Sequence, residues 1–341
     1  MSHQDTATLL ARPVIPARSA GLWMGLLGVT AFSFTVPFTR IVVSDGAMTP
    51  LFVGSGRAVI AACLAGLVLR ITRQRLPVGR QWVRIAVVAG GVVVGFPLLT
   101  SYALTTVPAS HGAVVIAILP AVTAVMAVVR TGERPTRTFW VASAAGAVAA
   151  VVFAGLGGGS LSLQWADLLL FVAVVVCAIG YAEGGLLSRE LGSWQTISWA
   201  LVLVSPLMVA LTVAAITVQA PSGGVVEWSA FAYLGAVSMF LGFVAWYRGL
   251  AIGPMAQVSQ VQLVQPIMSI VWAGLLLGEH IGWETVVGGT AVLGCALFAV
   301  RARSGLTTGR AGRRIRSVRV RRPDSGGRTL SSTGSRSRCT R

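Results

Sequence analysis

Charge is scarce in this 341-residue chain: 11% of its residues are Asp, Glu, Lys or Arg, ten of them acidic, against 55% that are hydrophobic. A soluble domain carries roughly 25% charged residues and has no core large enough for this much apolar side chain, so the solvent is read as lipid. Lysine is absent, and all 27 basic residues are arginine. Cysteine is sparse as well. Cys63, Cys177 and Cys295 fall inside apolar runs and Cys339 near the end of the chain, without paired extracellular spacing, so no disulfide framework is expected. No cluster has metal-ligand spacing, no H-E-x-x-H occurs and no paired intramembrane carboxylates are found, which leaves an enzyme little to work with. No metal or cofactor is expected. No small-residue cleavage motif follows the first apolar run, so that run is read as a retained span.

What the sequence does hold is ten apolar runs: Gly21 to Val43, Leu51 to Leu69, Ile85 to Leu104, His111 to Val129, Phe139 to Gly157, Asp167 to Leu187, Ile197 to Val218, Phe231 to Trp246, Ala256 to Leu277 and Thr285 to Val300. Most reach the roughly 20 residues that a helix needs to cross a hydrocarbon core; the eighth and tenth are marginal. Lipid offers no hydrogen-bond partners, so runs of this length without two-residue alternation close their backbones as helices. The expected fold is an all-α integral membrane protein. Trp82, Trp140, Trp165, Trp194, Trp228 and Trp283 lie near span ends, as interfacial anchors do.

Residues 104 to 133 return as 250 to 279, shifted by 146 without a gap. Leu104, Pro108, Pro120, Gly132 and Glu133 recur as Leu250, Pro254, Pro266, Gly278 and Glu279. This is an internal duplication. Five spans per copy is an odd number, so the copies cross the membrane in opposite senses, as an inverted repeat. The expected units are residues 1–20, a cytoplasmic tail; 21–157, the first repeat; 165–301, the second; and 302–341, a tail. Leu156 to Gln164, rich in Gly and Ser, links the repeats. Arginines crowd the even-to-odd loops (Arg70, Arg73, Arg75, Arg80 and Arg84; Arg130, Arg134 and Arg137), whereas the other loops hold Asp45, Glu227, Glu279 and Glu284. By the positive-inside rule both termini are cytoplasmic, in a multi-pass protein of the plasma membrane. The tail carries 12 arginines and one aspartate and few large apolar residues, so it is read as disordered, with attraction to anionic lipid the secondary reading and no nucleic-acid partner expected.

The Tyr102-Ala103-Leu104, Pro120 and Gly132-Glu133-Arg134 pattern, with Tyr247, Leu250, Pro266 and Leu277-Gly278-Glu279 in the second copy, resembles the EamA-type transporters of the drug/metabolite transporter superfamily. Arg57 sits where such proteins often have an arginine in the second span. The resemblance covers about residues 21 to 301 and implies ten transmembrane helices in two inverted five-helix repeats. It also implies export or exchange of small metabolites, such as amino acids, by alternating access. Tyr102 and Tyr247 are one residue out of register under the 146-residue shift.

Ionisable groups inside a bilayer are costly and point to function by default. Arg57 is read either as an anchor for a substrate carboxylate or as a structural arginine. Glu183 is read either as a proton-coupling group or as an interfacial carboxylate. The polar run of the ninth span, Gln257, Ser259, Gln260, Gln262 and Gln265, precedes Pro266, which frees a backbone carbonyl; Gln257, Gln260 and Gln265 are candidate substrate contacts, with interhelical hydrogen bonding the alternative. Tyr102, Trp246 and Tyr247 are candidate cavity aromatics. A central cavity is expected between spans one to four and six to nine. Gly91 with Gly95, and Ala142 with Gly146, are read as helix-packing pairs. The expected activity is secondary transport of amino-acid-like or amphipathic solutes, with a passive facilitator and a membrane-embedded enzyme as alternatives. The expected partners are a small solute and the bilayer, with a homodimer left open.

Overall fold

The computed structural model describes residues 17–132, 136–156, 164–252, 258, 261–299 and 301. Gln257, Gln260, Glu133 and the 302–341 tail lie outside the described residues. Among the described residues there is no strand. Seven helices are long and apolar enough to cross a membrane: α1 Ser19–Ser44, α2 Pro50–Ile71, α3 Arg80–Ala103, α4 Ala109–Arg130, α6 Trp165–Leu191, α7 Ser193–Val218 and α8 Val225–Ile252. Three shorter apolar helices complete the order: α5 Arg137–Phe153, α9 Gln262–Leu277 and α10 Trp283–Ala299. The eighth run, marginal by its apolar window, is the longest helix of all at 28 residues. The extra length is polar toward both ends: Glu227 caps the first turn by accepting from the Gly224 N–H at 2.7 Å, and exposed Arg248 lies just before the last turn. Hydropathy alone does not count such turns.

The duplication is visible in the backbone. In α3, Ala89–Gly95 is π-helical, and in α8 so is Leu234–Leu241, the equivalent stretch 146 residues on. The fourth helix breaks between Ala109–Ile116 and Leu119–Thr131. In α9 a 3₁₀ turn, Gln262–Val264, precedes Gln265–Leu277, so Leu119 and Gln265 each begin a segment whose next residue is proline. Both segments end on a left-handed glycine, Gly132 at φ 68° and Gly278 at φ 66°, a conformation that glycine adopts without a Cβ penalty.

Small residues let these helices touch. A Cβ on Gly91 would lie 2.3 Å from the Val176 carbonyl oxygen, so α3 meets α6 backbone to backbone. Gly146 meets the Cβ of Cys295, which joins α5 to α10. Both pairs do the packing expected of them. The first helix breaks at Phe34, which frees the Ser33 carbonyl. That carbonyl accepts from Ser269 Oγ at 2.7 Å, Trp272 Nε1 donates to Ser33 Oγ at 3.0 Å, and the Trp272 ring stacks on Phe34 at 4.5 Å. Broken spans are stable when neighbouring helices satisfy the freed groups in this way, and here the satisfaction fixes α1 against α9.

Candidate functional site

The helix breaks and π turns converge on one void. Its walls come from α1, α2, α3, α4, α6, α8 and α9, all within the set expected to enclose a central cavity, with nothing from α5, α7 or α10. The lining is arranged in repeat pairs: Thr35 with Tyr181, Val92 with Ser238, Pro97 with Phe243, and Leu119 with Gln265, each pair 146 residues apart. The two copies therefore build one site from equivalent positions. The copies join directly across it where the hydroxyls of Thr35 and Ser238 share a hydrogen bond at 2.7 Å.

Arg57 is the charge at this void. Its side chain is 1% exposed, and its guanidinium reaches only two hydroxyls, donating from Nη1 to Thr39 Oγ1 and from Nη2 to Thr100 Oγ1, each at 3.4 Å. Its Nε–H has no partner among the described residues. Among the described residues no carboxylate pairs with it. An arginine at the centre of a span costs about 3 kcal/mol even by permissive insertion scales, and two long neutral hydrogen bonds offset little of that. Gln265, also lining the void, leaves its Oε1 without a donor among the described residues. A positive fork and an amide acceptor thus face one space with bonding capacity unused. The space itself is small, about 20 Å³, room for roughly one water molecule.

Trp246 and Tyr247 are buried, 2% and 0% exposed, but they stand behind the lining. The Trp246 ring centroid is 6.1 Å from that of Tyr181, and the Tyr247 centroid 5.6 Å from that of Phe243. Their Nε1 and OH groups find no acceptor or donor among the described residues. Tyr102 departs from expectation. It is 44% exposed at the far end of α3, outside the cavity lining, because the one-residue offset from Tyr247 turns it by about 100° on its helix.

Polar contacts tie the helices together toward each end of the bundle. At the arginine-rich end, the Glu183 carboxylate accepts from Arg84 Nε on α3 and, at 2.6 Å, from Arg130 Nε on α4, while Arg84 Nη1 reaches Glu190 at 2.6 and 2.7 Å. Glu183, read either as a proton-coupling group or as an interfacial carboxylate, is thus engaged by two guanidiniums and lies off the cavity lining. At the opposite end, Glu279 after α9 accepts from the first backbone N–H groups of α4, Ala109 at 2.7 Å and Ser110 at 2.8 Å. This is favourable placement for a carboxylate at a helix N-terminus. His111 on α4 meets Asp167 on α6 at 2.7 Å, and Arg40 donates to the carbonyls of Leu104 and Thr105 at 2.6 and 2.9 Å. A larger groove of about 1010 Å³ opens at this end between α5 and α10, outside the ring of helices that share the central void.

The pattern of the EamA-like transporter family matches twice, over residues 19–155 and 164–301. A protein named "Uncharacterized transporter YdeK" from Bacillus subtilis is 47% identical over 278 residues, 81% of this chain and 96% of that one. One named "Probable terminal-alkyne amino-acid exporter" from Streptantibioticus cattleyicolor is 29% identical over 284 residues, 80% of this chain and 90% of its own length. A solved crystal structure superposes with a TM-score of 0.58 at 19% identity, covering 85% of this chain and 99% of that one, a likeness of fold. With two copies of the pattern spanning most of its length, and one void built between them, the chain belongs to the EamA-like transporter family.

Proposed function

We propose that this transporter carries amino-acid-like carboxylates, as an exporter or exchanger, by alternating access between two inverted five-helix repeats. In this reading all ten apolar helices span the plasma membrane, the arginine-rich end and both termini face the cytoplasm, and the chain is a carrier rather than an enzyme. The single observation behind the substrate class is Arg57, a buried guanidinium with no acidic partner among the described residues, facing the void that both repeats share. A carboxylate arriving there supplies a pair of charge-assisted hydrogen bonds in fork geometry. Gln265 accepts from the substrate's amine, and Gln257 and Gln260 are further candidate contacts. Trp246 and Tyr247 come into contact when movement of the repeats widens the void. The relative named as an amino-acid exporter supports the same class.

The void's small volume fits an occluded stage of the cycle, in which Glu183 with Arg84 and Arg130 forms one gate and Glu279 with the start of α4 the other. A passive facilitator is the rival reading. Both are tested by uptake into proteoliposomes containing the purified chain, with a panel of amino acids as competitors. Zwitterionic amino acids are expected to compete at least tenfold better than their methyl esters, which lack the carboxylate. Equal competition by the esters overturns the role of Arg57. Counterflow accumulation of labelled solute marks a carrier, and simple equilibration marks a channel.

A further inference from the structure

At the arginine-rich end, away from the central void, a pocket of about 470 Å³ lies between the loop that follows α2 and the start of α7. Arg73, Arg75, Gln195 and Glu190 supply polar walls, and Leu76, Leu191 and Trp199 supply apolar ones. Neither arginine has an ion-pair partner among the described residues, and the carboxylate of the lining, Glu190, is engaged by Arg84. Two guanidiniums without an acidic partner among the described residues therefore face one concavity. We propose that this pocket holds the phosphate of an anionic phospholipid, from the leaflet at the arginine-rich end.

The backbone supports a purpose for Arg73 beyond marking topology. Its φ is +48°, the left-handed position just beyond a helix end, where this chain elsewhere uses glycine, Gly132 and Gly278. A side chain there is strained against its own backbone. The loop is also held in shape. Arg73 N–H bonds to the Arg70 carbonyl, Gln74 N–H to that of Leu69, and Gln195 Nε2 donates to Gln74 Oε1 at 3.3 Å. A guanidinium fixed in a pocket of ordered backbone loses less entropy on meeting a phosphate than one on a free tether.

Depth selects lipid over a soluble anion. The loop lies at helix ends, Trp82 and Trp199 pack edge to face at 5.9 Å as interfacial aromatics do, and the fringe is apolar and uncovered. Ile71 is 70% exposed, Leu76 67% and Val78 76%, side chains suited to acyl chains beside a headgroup. Basic pockets at this level of a helix bundle are suited to anionic headgroups.

The test uses the full chain in neutral detergent and reads its thermal melting midpoint. Phosphatidylglycerol is expected to raise the midpoint by roughly 5 °C, and phosphatidylcholine of the same acyl chains to leave it unmoved. R73Q/R75Q should abolish the rise, whereas R189Q/R248Q, which removes two exposed arginines of the same end, should keep it. R73G provides a variant that folds at least as well, because glycine accepts the left-handed backbone. It should melt higher than the parent without lipid and respond less to phosphatidylglycerol. An undiminished response in R73Q/R75Q or R73G overturns the site. An equal rise with inorganic phosphate alone assigns the pocket to a small soluble anion and overturns the lipid.

Discussion

Leu119 and Gln265 hold the same place in the two copies, each the first residue of a helical segment after a break and each followed by proline, and both line one cavity. One brings hydrocarbon and the other an amide whose oxygen is unpartnered among the described residues. The cavity is therefore symmetric in backbone and polar on one side, which is what a solute with distinct ends requires. Gln265→Leu should weaken solute binding about tenfold, the value of one lost hydrogen bond with its desolvation, and leave protein yield unchanged. The KM in proteoliposomes reads this directly, and an unaltered KM removes Gln265 from the site.

Arg57→Gln should abolish transport while the chain still inserts and elutes as a single species. Arg57→Lys keeps the charge but loses the fork, so partial activity with a raised KM is expected. Full activity in Arg57→Gln would show the guanidinium to be structural.

Glu183 is joined to two helices through Arg84 and Arg130, so Glu183→Gln should loosen that end. A cysteine placed at buried Val128, in a background freed of the native cysteines, should react faster with a water-soluble thiol reagent once Glu183 is neutral. If Glu183 instead couples transport to protons, the mutant should lose pH-driven accumulation with its thiol reactivity unchanged. The two readouts separate a gate from a proton carrier.

Topology is checked by reporter fusions after Gly158 and Arg303. An odd number of spans per repeat places these points on opposite sides. Signals on the same side would dismantle the inverted repeat.

Gly91→Leu should prevent α3 from reaching α6, because even a Cβ would press on the Val176 carbonyl at 2.3 Å. A lower melting midpoint and loss of transport are expected together; a variant that melts and transports like the parent would show the contact to be dispensable.

Arg57 and Gln265 were legible in the sequence because a charge and an amide stand out within apolar runs, and both line the void. Thr35 and Ser238 were not, since single hydroxyls occur throughout membrane helices and only the fold joins these two across 203 positions. The pairing of Glu183 with Arg84 and Arg130 was equally hidden. It depends on the rotation of three helices about their axes, which no local pattern records. Tyr102 misled because aromatic character near a motif says nothing about which side of the helix it occupies. The repeat was plain from its prolines and Gly-Glu pairs, yet the matched π turns carry no residue signature by which to find them.

Those π turns have a geometric consequence. A π turn is the shape of a helix that holds one residue more than α geometry accommodates, so the surplus can pass along the rod, like a ruck along a carpet, with few hydrogen bonds broken at a time. Each residue that the turn passes is re-oriented by about 100°, while the helix on either side keeps its register. Were the turn in α3 to move past Thr100, Pro97 and Thr100 would swing away from the void, and with Thr100 one of the two hydroxyls that hold Arg57; in α8 a turn moving past Phe243 would do the same to that ring. With one such ruck in each copy, the cavity can exchange part of its lining while every helix keeps its place in the bundle.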